Sequence, residues 1–249
     1  MKASITFPEI LQEATFVERP NRFIIRVRIE GESDLADVHL ADPGRLKELL
    51  IPGNKVWVLG NNHPHRKTKW TAVLCENPVK EGYISINTTF PNQLIEIALK
   101  EGLLEEFSAW RYIRSEYTYG QSRWDFLLEN QAGEQLLLEV KSVTLAENGV
   151  GMFPDAVTAR GAKHVKELAQ IVEEGKYQTA ILFVAQRDDV EQVTTAPHID
   201  PIFSHALAEA SQSGVKLYGR ACHITLEEIF IGQQLSVEAP IVSDEQRNL

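Results

Sequence analysis

The chain has 249 residues, of which 43% are hydrophobic and 24% are charged, and its formal net charge is −10. These proportions are typical of a soluble globular protein with one or two domains. No run approaches the roughly 18 apolar residues of a membrane-spanning helix, and the first eight residues lack the apolar segment of a signal peptide. The composition therefore excludes transmembrane and secreted classes, and we expect a cytoplasmic protein without a membrane partner. Cys75 and Cys222 show no metal-ligand spacing, which predicts two buried free thiols.

The negative charge is unevenly distributed along the chain. Residues 1–80 contain 12 Lys and Arg against 10 Asp and Glu, a net charge of +2, whereas the remainder contains 13 against 25, a net charge of −12. The early basic residues are clustered at Arg19, Arg22, Arg26 and Arg28, and again at Arg66, Lys67 and Lys69. Such clusters either contact the phosphates of a nucleic acid or solvate the outer faces of strands.

The first part of the chain, residues 1–84, has the pattern of an all-β domain. Its predicted strands, which Gly, Pro, Asn and Asp residues separate, are Phe23–Ile29, Asp37–Leu40, Lys55–Leu59, Thr68–Leu74 and Tyr83–Ile86. Five short strands indicate a small OB-fold-like β-barrel, an architecture that often binds nucleic-acid single strands. Trp57, Trp70 and Tyr83 are either stacking platforms for bases or parts of the barrel core.

The pattern changes in residues 85–235, where helices alternate with strands. A helix from Pro91 to Gly102, with Asn92 as its N-cap, precedes a meander of strands at Tyr112–Tyr119, Trp124–Leu128 and Leu136–Val143. The elements that follow are a helix capped by Asp155 (156–174), a strand (179–185), a helix (201–213) and a strand (215–219). This order predicts an α/β domain with a mixed sheet. We expect the chain to be loosely packed or disordered after Gln233, with a tail at residues 236–249.

Two carboxylates and a lysine interrupt the apolar strands of this second domain. Asp125 precedes a hairpin turn centred near Gly133, and Glu139 and Lys141 follow the turn, two residues apart on one face of their strand. Oxygen ligands of this kind suit Mg²⁺ or Mn²⁺, and the lysine can stabilise phosphoryl charge. The spacing indicates the D…(D/E)xK metal site of a PD-(D/E)xK, restriction-endonuclease-like domain. A buried structural ion pair is the alternative.

Two predicted helices carry further candidates. Glu96 either presents another carboxylate to the metal or lies on a solvated helix face. Arg160 and His164 share a face at i, i+4, with Lys163 adjacent, and these side chains either bind phosphates or form an exposed basic face. The remaining histidines show no close ligand set and are interpreted as structural or surface residues: His39, His63, His65, His198, His205 and His223.

Several of these segments resemble the sugar fermentation stimulation protein A (SfsA) family of bacteria and archaea. The segments are Ser122–Phe126, Leu138–Leu145, Phe153–His164, Leu40–Leu46, Asn87–Thr88 and Pro91–Asn92. The resemblance covers the chain from about Phe16 to Leu226. It implies an N-terminal OB-fold-like domain, a C-terminal PD-(D/E)xK nuclease-like domain, DNA binding, and a link to the regulation of sugar (maltose) metabolism genes.

In the pattern of that nuclease superfamily, the resemblance places the metal site at Asp125, Glu139 and Lys141, with Glu96 as the acid on the helix. Asp42 and Arg45, in the Asp-Pro-Gly-Arg turn, are candidates for binding. Pro43 and Gly44 account for the turn by themselves, and Arg45 is positioned to contact a phosphate.

We therefore expect a DNA-binding protein with a Mg²⁺- or Mn²⁺-dependent phosphodiesterase site. Asp125 and Glu139 would hold metal, Lys141 would orient the nucleophile, and the barrel, through Arg26 and Arg28, would grip the strand. The alternative is a non-catalytic DNA-binding transcriptional regulator with a vestigial metal site, although no helix-turn-helix pair is evident. A sugar-binding or sugar-modifying enzyme is a third class, which rests on the family name alone. A homodimer is left open.

Overall fold

The computed structural model describes residues 2–61 and 67–240, which form two β-sheets and three α-helices. The first strand, β1 (Ser4–Thr6), pairs with the last strand of the chain rather than with its neighbours in sequence. The next six strands form a sheet of their own: β2 (Gln12–Asn21), β3 (Ile24–Ile29), β4 (Leu35–Leu40), β5 (Lys55–Gly60), β6 (Trp70–Glu76) and β7 (Tyr83–Ser85).

This first sheet closes into a barrel. Its order is β4-β3-β2-β5-β6-β7, and a parallel pairing between β4 and β6 closes the five strands β2–β6. Side chains along β3 alternate across the barrel wall, since Ile25, Val27 and Ile29 are buried in the barrel core while Arg28 is exposed. Trp57 is also buried and packs edge-on against Tyr83, but it belongs to the hydrophobic core of the second domain rather than to the barrel core. The OB-fold-like barrel predicted from the sequence is confirmed.

The second sheet is mixed. The strands that follow the barrel are β8 (Trp110–Tyr119), β9 (Ser122–Asn130), β10 (Gln135–Val143), β11 (Ala146–Glu147), β12 (Val150–Phe153), β13 (Gln178–Ala185), β14 (Gln192–Thr195), β15 (Lys216–Ile224) and β16 (Glu228–Glu238). Their order is β11-β12-β14-β16-β15-β13-β10-β9-β8, with β1 added at β16. β10, β13 and β15 are parallel neighbours, whereas β8, β9 and β10 form an antiparallel meander.

Helices cover both faces of the second sheet. α1 (Phe90–Lys100) packs its apolar side on one face. α2 (Ala159–Glu174) and α3 (Pro201–Gln212) pack on the other. Side chains along β10 alternate between these layers, with Leu136 and Leu138 in the core under α1 and Leu137 and Val143 in the core under α2. The mixed-sheet α/β domain is therefore confirmed.

Hydrogen bonds join the barrel to the second domain at several points. The hydroxyl of Ser85 donates to the side-chain oxygen of Gln186 at 2.7 Å, and the hydroxyl of Thr88 donates to the carbonyl of Ala41 at 2.9 Å. The carboxylate of Asp155 accepts hydrogen bonds from the backbone N–H groups of Arg45 and Leu46. The barrel is thus fixed against the sheet on the side where β10 ends.

Three details differ from the sequence-based predictions. Thr89, not Asn92, occupies the N-cap position of α1. Thr158, not Asp155, caps α2 through a bond from Gly161 N–H to its hydroxyl, because the Asp155 carboxylate is already bonded to the barrel. The loose packing predicted after Gln233 is wrong as far as Glu238, since β16 pairs with β14 and β15.

Other expectations of the sequence concern thiols, the tail and membranes. Cys75 and Cys222 are buried and free, as predicted. Residues 241–249 of the predicted tail lie outside the described residues, as do His63, His65 and Arg66. Among the helices of the described chain, none has the length and apolarity that crossing a bilayer requires.

Candidate metal centre and cleft

Asp125 lies where two strands separate. The pairing between β9 and β10 runs as far as Phe126 and Leu138, and the Asp125 carboxylate follows at the point where this ladder ends. Its Oδ2 atom accepts a hydrogen bond from the backbone N–H of Val140 at 2.7 Å. Its Oδ1 atom accepts one from the side-chain amide of Asn92, on α1, at 2.7 Å. Donors from both sides hold this carboxylate in one orientation.

Glu139 and Lys141 share a face of β10, and Nζ of Lys141 lies 2.6 Å from Oε1 of Glu139. The ring Nδ1 of His164, on α2, lies 2.8 Å from the same oxygen. The other oxygen of Glu139, Oε2, is buried and has no hydrogen-bond partner in the described structure. A buried carboxylate oxygen without a partner is costly, so Oε2, like the unpartnered carboxylate oxygens of Asp155 and Glu48, marks a place where a ligand can bind.

Burial and neighbouring charges act differently on the two carboxylates. Burial, together with the charge of Glu139, raises the pKa of Asp125 to about 6. Burial also disfavours ionised Glu139, but the ammonium of Lys141 and the hydrogen bond of His164 outweigh it, so the pKa of Glu139 lies below its ordinary value. The site therefore holds one firmly ionised carboxylate and one that a cation would help to ionise.

A cleft of about 500 Å³ opens between the two domains next to this site, and Lys141 lines it whereas Asp125 and Glu139 do not. Lys141, Val140 and Asn92 line it from the second domain, together with the exposed Arg160 of α2. We call it the catalytic cleft, because Lys141, which the sequence predicts to be a catalytic residue, lines it. Its opposite wall is the turn Asp42–Pro43–Gly44 of the barrel, with Arg22 beside it. Residues far apart in sequence thus face one another across the cleft.

The barrel wall of the catalytic cleft is held rigidly by Arg19. Its guanidinium donates to the backbone carbonyls of Arg22, Asp42, Gly44 and Arg45, at 2.8, 3.0, 2.7 and 2.8 Å. Within the turn, Oδ1 of Asp42 accepts the backbone N–H of Gly44 at 2.7 Å. A Cβ atom on Gly44 would lie 2.0 Å from Oδ2 of Asp155, so only glycine allows the two domains to approach this closely.

Not all of the candidates from the sequence converge on the cleft. Asp125, Glu139, Lys141 and His164 are in mutual contact or close proximity. Arg160 lines the same cleft. Glu96 instead accepts from the hydroxyl of Tyr112 at 2.9 Å and pairs with Lys100 at 2.8 Å.

The other basic candidates lie elsewhere. Lys163 lines a separate groove of about 790 Å³ along the outer side of α2. Arg26 pairs with Glu18 at 2.6 Å and with Asp37 at 3.0 Å. Arg28 is exposed on the same strand, and Arg45 is exposed beyond the turn that it follows.

Sequence reasoning missed three contributors to this arrangement. Asn92 was assigned to a helix cap, although its position one turn before Glu96 puts both on one face of α1. Asp155 is likewise predicted to cap a helix, and Arg19 is one member of a predicted cluster of basic residues. No local pattern distinguishes these residues, because Asn92 contacts a residue 33 positions away and Arg19 contacts a turn that lies 23 to 26 positions away along the chain.

Fold and site together define a class of protein: an OB barrel followed by a mixed-sheet α/β domain, with two neighbouring carboxylates next to the cleft between them. Two family models match the chain accordingly, the SfsA N-terminal OB domain over residues 17–86 and the sugar fermentation stimulation protein RE domain over residues 89–228. The chain belongs to the sugar fermentation stimulation protein (SfsA) family.

Known relatives agree with this assignment. A sugar fermentation stimulation protein homolog of Shouchella clausii is 44% identical over 227 residues, which cover 91% of this chain and 97% of the relative. A homolog of Desulforamulus reducens is 37% identical over 234 residues, covering 94% and 95%. The solved structure of Pyrococcus furiosus SfsA in complex with Ca²⁺ superposes with a TM-score of 0.85 at 29% identity, covering 96% of this chain and 99% of that one.

Proposed function

We propose that the protein is a metal-dependent phosphodiesterase that binds and cleaves DNA. The observation that carries the proposal is the buried, unpartnered Oε2 of Glu139, which lies near a second, partly buried carboxylate, Asp125, and a lysine that lines the cleft. Two carboxylates and an ammonium next to an interdomain cleft are groups that metal-dependent hydrolysis of a phosphodiester uses.

The donor set fits Mg²⁺ or Mn²⁺. Within residues 2–61 and 67–240 no three His, Cys, Asp or Glu side chains are grouped as metal ligands. Mg²⁺, however, is commonly bound by one or two carboxylates with water completing its shell. Asp125 and Glu139 would hold the ion, which when bound polarises a phosphodiester and lowers the pKa of a coordinated water. The solved structure of the P. furiosus relative is in complex with Ca²⁺, another cation that prefers oxygen ligands.

The side chains around the carboxylates have separate roles in the proposed reaction. Lys141 orients the attacking water and stabilises charge that develops on the phosphoryl oxygens. Asn92 and the Val140 N–H fix Asp125, and His164 fixes Glu139. We therefore assign His164 a positioning role. Arg160, exposed in the same cleft, binds a neighbouring phosphate, and Lys163 is a more distant phosphate contact.

A cleavage assay tests this proposal. Wild type and Lys141→Ala are incubated with circular double-stranded, linear and single-stranded DNA in Mg²⁺, Mn²⁺ or EDTA. We expect metal-dependent cutting by wild type and a loss of roughly 100-fold or more in the variant. Lys55→Ala is the matched control, because Lys55 is a half-exposed barrel lysine paired with Glu13, and this variant should cut like wild type.

The alternative function is a non-catalytic DNA-binding regulator, which the family name would connect with sugar fermentation. It predicts that wild type binds all three DNA forms in a gel shift yet cuts none of them with either metal. Association of two copies along the edge strand β8 is a separate hypothesis, which light scattering in solution tests.

A further inference from the structure

The catalytic cleft continues onto the barrel. A second cleft of about 460 Å³ adjoins it, lined by Arg19, Asn21, Arg45 and Lys47 as well as by shared residues. We call this second cleft the barrel groove. The residues that line both clefts are Arg22, Pro43, Gly44, Ala156 and Val157. A ligand that enters the catalytic cleft therefore has a continuous path over the Pro43–Gly44 turn.

Three cations along this path are available to a ligand. Arg22, Arg45 and Lys47 are exposed, and in the described parts of the chain their side chains form no hydrogen bond or ion pair. Arg26, on the barrel strand β3, is instead neutralised by two carboxylates. Unpaired cations attract phosphates without first losing a partner, so the barrel groove is the stronger anion surface.

The acidic side chains near the barrel groove do not line it. Asp42 is 5% exposed and bonded to Gly44, and Asp155 accepts backbone N–H groups of the turn. Burial raises the pKa of Asp42 to about 7 and also raises the pKa values of Asp155 and Glu48. The negative charge that opposes a phosphate is therefore reduced, while the Arg19 hydrogen bonds hold the turn that carries Arg45 in place.

An apolar side chain stands where the two clefts meet. Val157 is 68% exposed and lines both of them. It lies in the short segment between Asp155, which is bonded to the barrel, and Thr158, whose backbone N–H donates to Asp200 at 2.8 Å. Anchors on both sides hold Val157 outward, where a base or sugar offers the matching apolar surface.

We infer that a nucleic-acid strand leaves the catalytic cleft across Val157 and follows Arg22, Arg45 and Lys47 along the barrel groove. The inference rests on the proposed function for its ligand and extends it to a particular surface. Arg22, Arg45 and Lys47, rather than Arg26 and Arg28, are then the main phosphate contacts of the barrel. The strand is read by charge and by an apolar contact, an arrangement that recognises a backbone rather than a base sequence.

Binding in EDTA tests the path without any metal chemistry. A fluorescent single-stranded DNA of about 20 nucleotides, longer than one OB-fold site, is titrated over a range of salt concentrations. The groove variant carries Arg22→Gln, Arg45→Gln and Lys47→Gln. The control carries Arg26→Gln, Arg28→Gln and Lys55→Gln, which remove the same charge from the same barrel. Thermal melting verifies that both variants fold.

We expect the affinity of the groove variant at low salt to fall about tenfold or more. The slope of log K against log salt should become shallower by about 2, because three phosphate contacts are lost. The control should stay within about twofold of wild type. Val157→Ser should weaken binding several-fold with an unchanged salt slope, because it removes an apolar contact. Equal losses of affinity in the groove and control variants would overturn the proposed path. Wild-type affinity in Val157→Ser would show that the strand does not contact Val157.

The outcome is separable from that of the cleavage assay. If wild type cuts DNA but the groove variant binds like wild type, the path is wrong and the phosphodiesterase proposal stands. If wild type cuts nothing but the groove variant loses both affinity and slope, the path stands and the catalytic proposal fails.

Discussion

His164 and Glu139 link helix α2 to strand β10, with Nδ1 of the histidine 2.8 Å from Oε1 of the carboxylate. Lys141 contacts this same Oε1 atom, so both donors act on one oxygen and leave Oε2 without a partner. The imidazole is buried and also packs edge-on against Trp124. Its place is thus fixed, and with it the orientation of the Glu139 carboxylate.

Replacing His164 separates positioning from phosphate binding. In His164→Ala the Glu139 carboxylate loses an orienting partner, and we expect the cleavage rate to fall about 10–100-fold while DNA affinity in EDTA stays unchanged. Arg160→Ala, one helical turn away, is the comparison, because its loss should weaken binding and lower the salt slope by about 0.7–0.9. An equal reduction of salt slope in His164→Ala would show that the histidine contacts phosphate.

Asn92 supports Asp125 from α1. In Asn92→Ala the Oδ1 atom of Asp125 loses a donor at 2.7 Å, and we expect the unfolding free energy to fall by about 1–3 kcal/mol and metal affinity to fall with it. Denaturant titration and calorimetric metal titration measure the two effects. Gln93→Ala, an adjacent exposed position on the same helix, is the control. Wild-type metal affinity in Asn92→Ala would show that Asp125 needs no support from the helix.

Gly44 sets the distance between the domains. In Gly44→Ala the new methyl group would lie 2.0 Å from Oδ2 of Asp155, so the Asp155 carboxylate or the turn must move. We expect a loss of about 1–3 kcal/mol in unfolding free energy and a loss of cleavage. Gly60→Ala is the control, since its methyl group would meet Glu9 at 3.4 Å. Similar stability of both variants would contradict the tight approach.

Asp42 makes stability depend on pH. Its pKa is raised to about 7 by burial, above the ordinary value of about 4 in an unfolded chain. The folded state therefore binds this proton more tightly, and its contribution to unfolding free energy declines as pH rises from about 4 to about 7. Asp42→Asn keeps an oxygen acceptor for Gly44 and cannot ionise.

The stability gained by Asp42→Asn should thus grow by about 2–3 kcal/mol between about pH 5 and about pH 8. Denaturant unfolding of both proteins at the two pH values measures it. Because Asp125, Asp155 and Glu48 also have raised pKa values, only the difference between variant and wild type isolates Asp42. A difference that does not change with pH would mean that Asp42 is ionised throughout.

The sequence was informative wherever the pattern is local. Alternation along residues 24–29 predicted a barrel strand, and the apolar runs on either side of Gly133 predicted the hairpin that brings Asp125 towards Glu139. The contact between Lys141 and Glu139 follows from the two-residue period of a strand. Charges inside buried strands have few other reasons to be there.

What the sequence did not predict depends on distant parts of the chain. The cleft exists because the barrel turn at Gly44 meets Asp155, and no local pattern encodes that meeting. Asn92 and Asp155 are both good helix caps, and both are used instead for contacts with another element. β16 likewise pairs with β1, from the opposite end of the chain. No local pattern reveals this pairing, and the sequence therefore predicted a loose tail where β16 is packed.

The most direct test of the metal centre is a calorimetric titration of Mn²⁺ into wild type, Glu139→Gln and Glu96→Gln. We predict that Glu139→Gln loses most of the affinity, because Oε2 is a buried carboxylate oxygen without a hydrogen-bond partner in the described structure. Glu96→Gln should bind like wild type, since the Glu96 carboxylate is paired with Lys100 and Tyr112. Unchanged binding by Glu139→Gln, or no binding by wild type, would contradict the account and leave Glu139 and Lys141 as a buried ion pair.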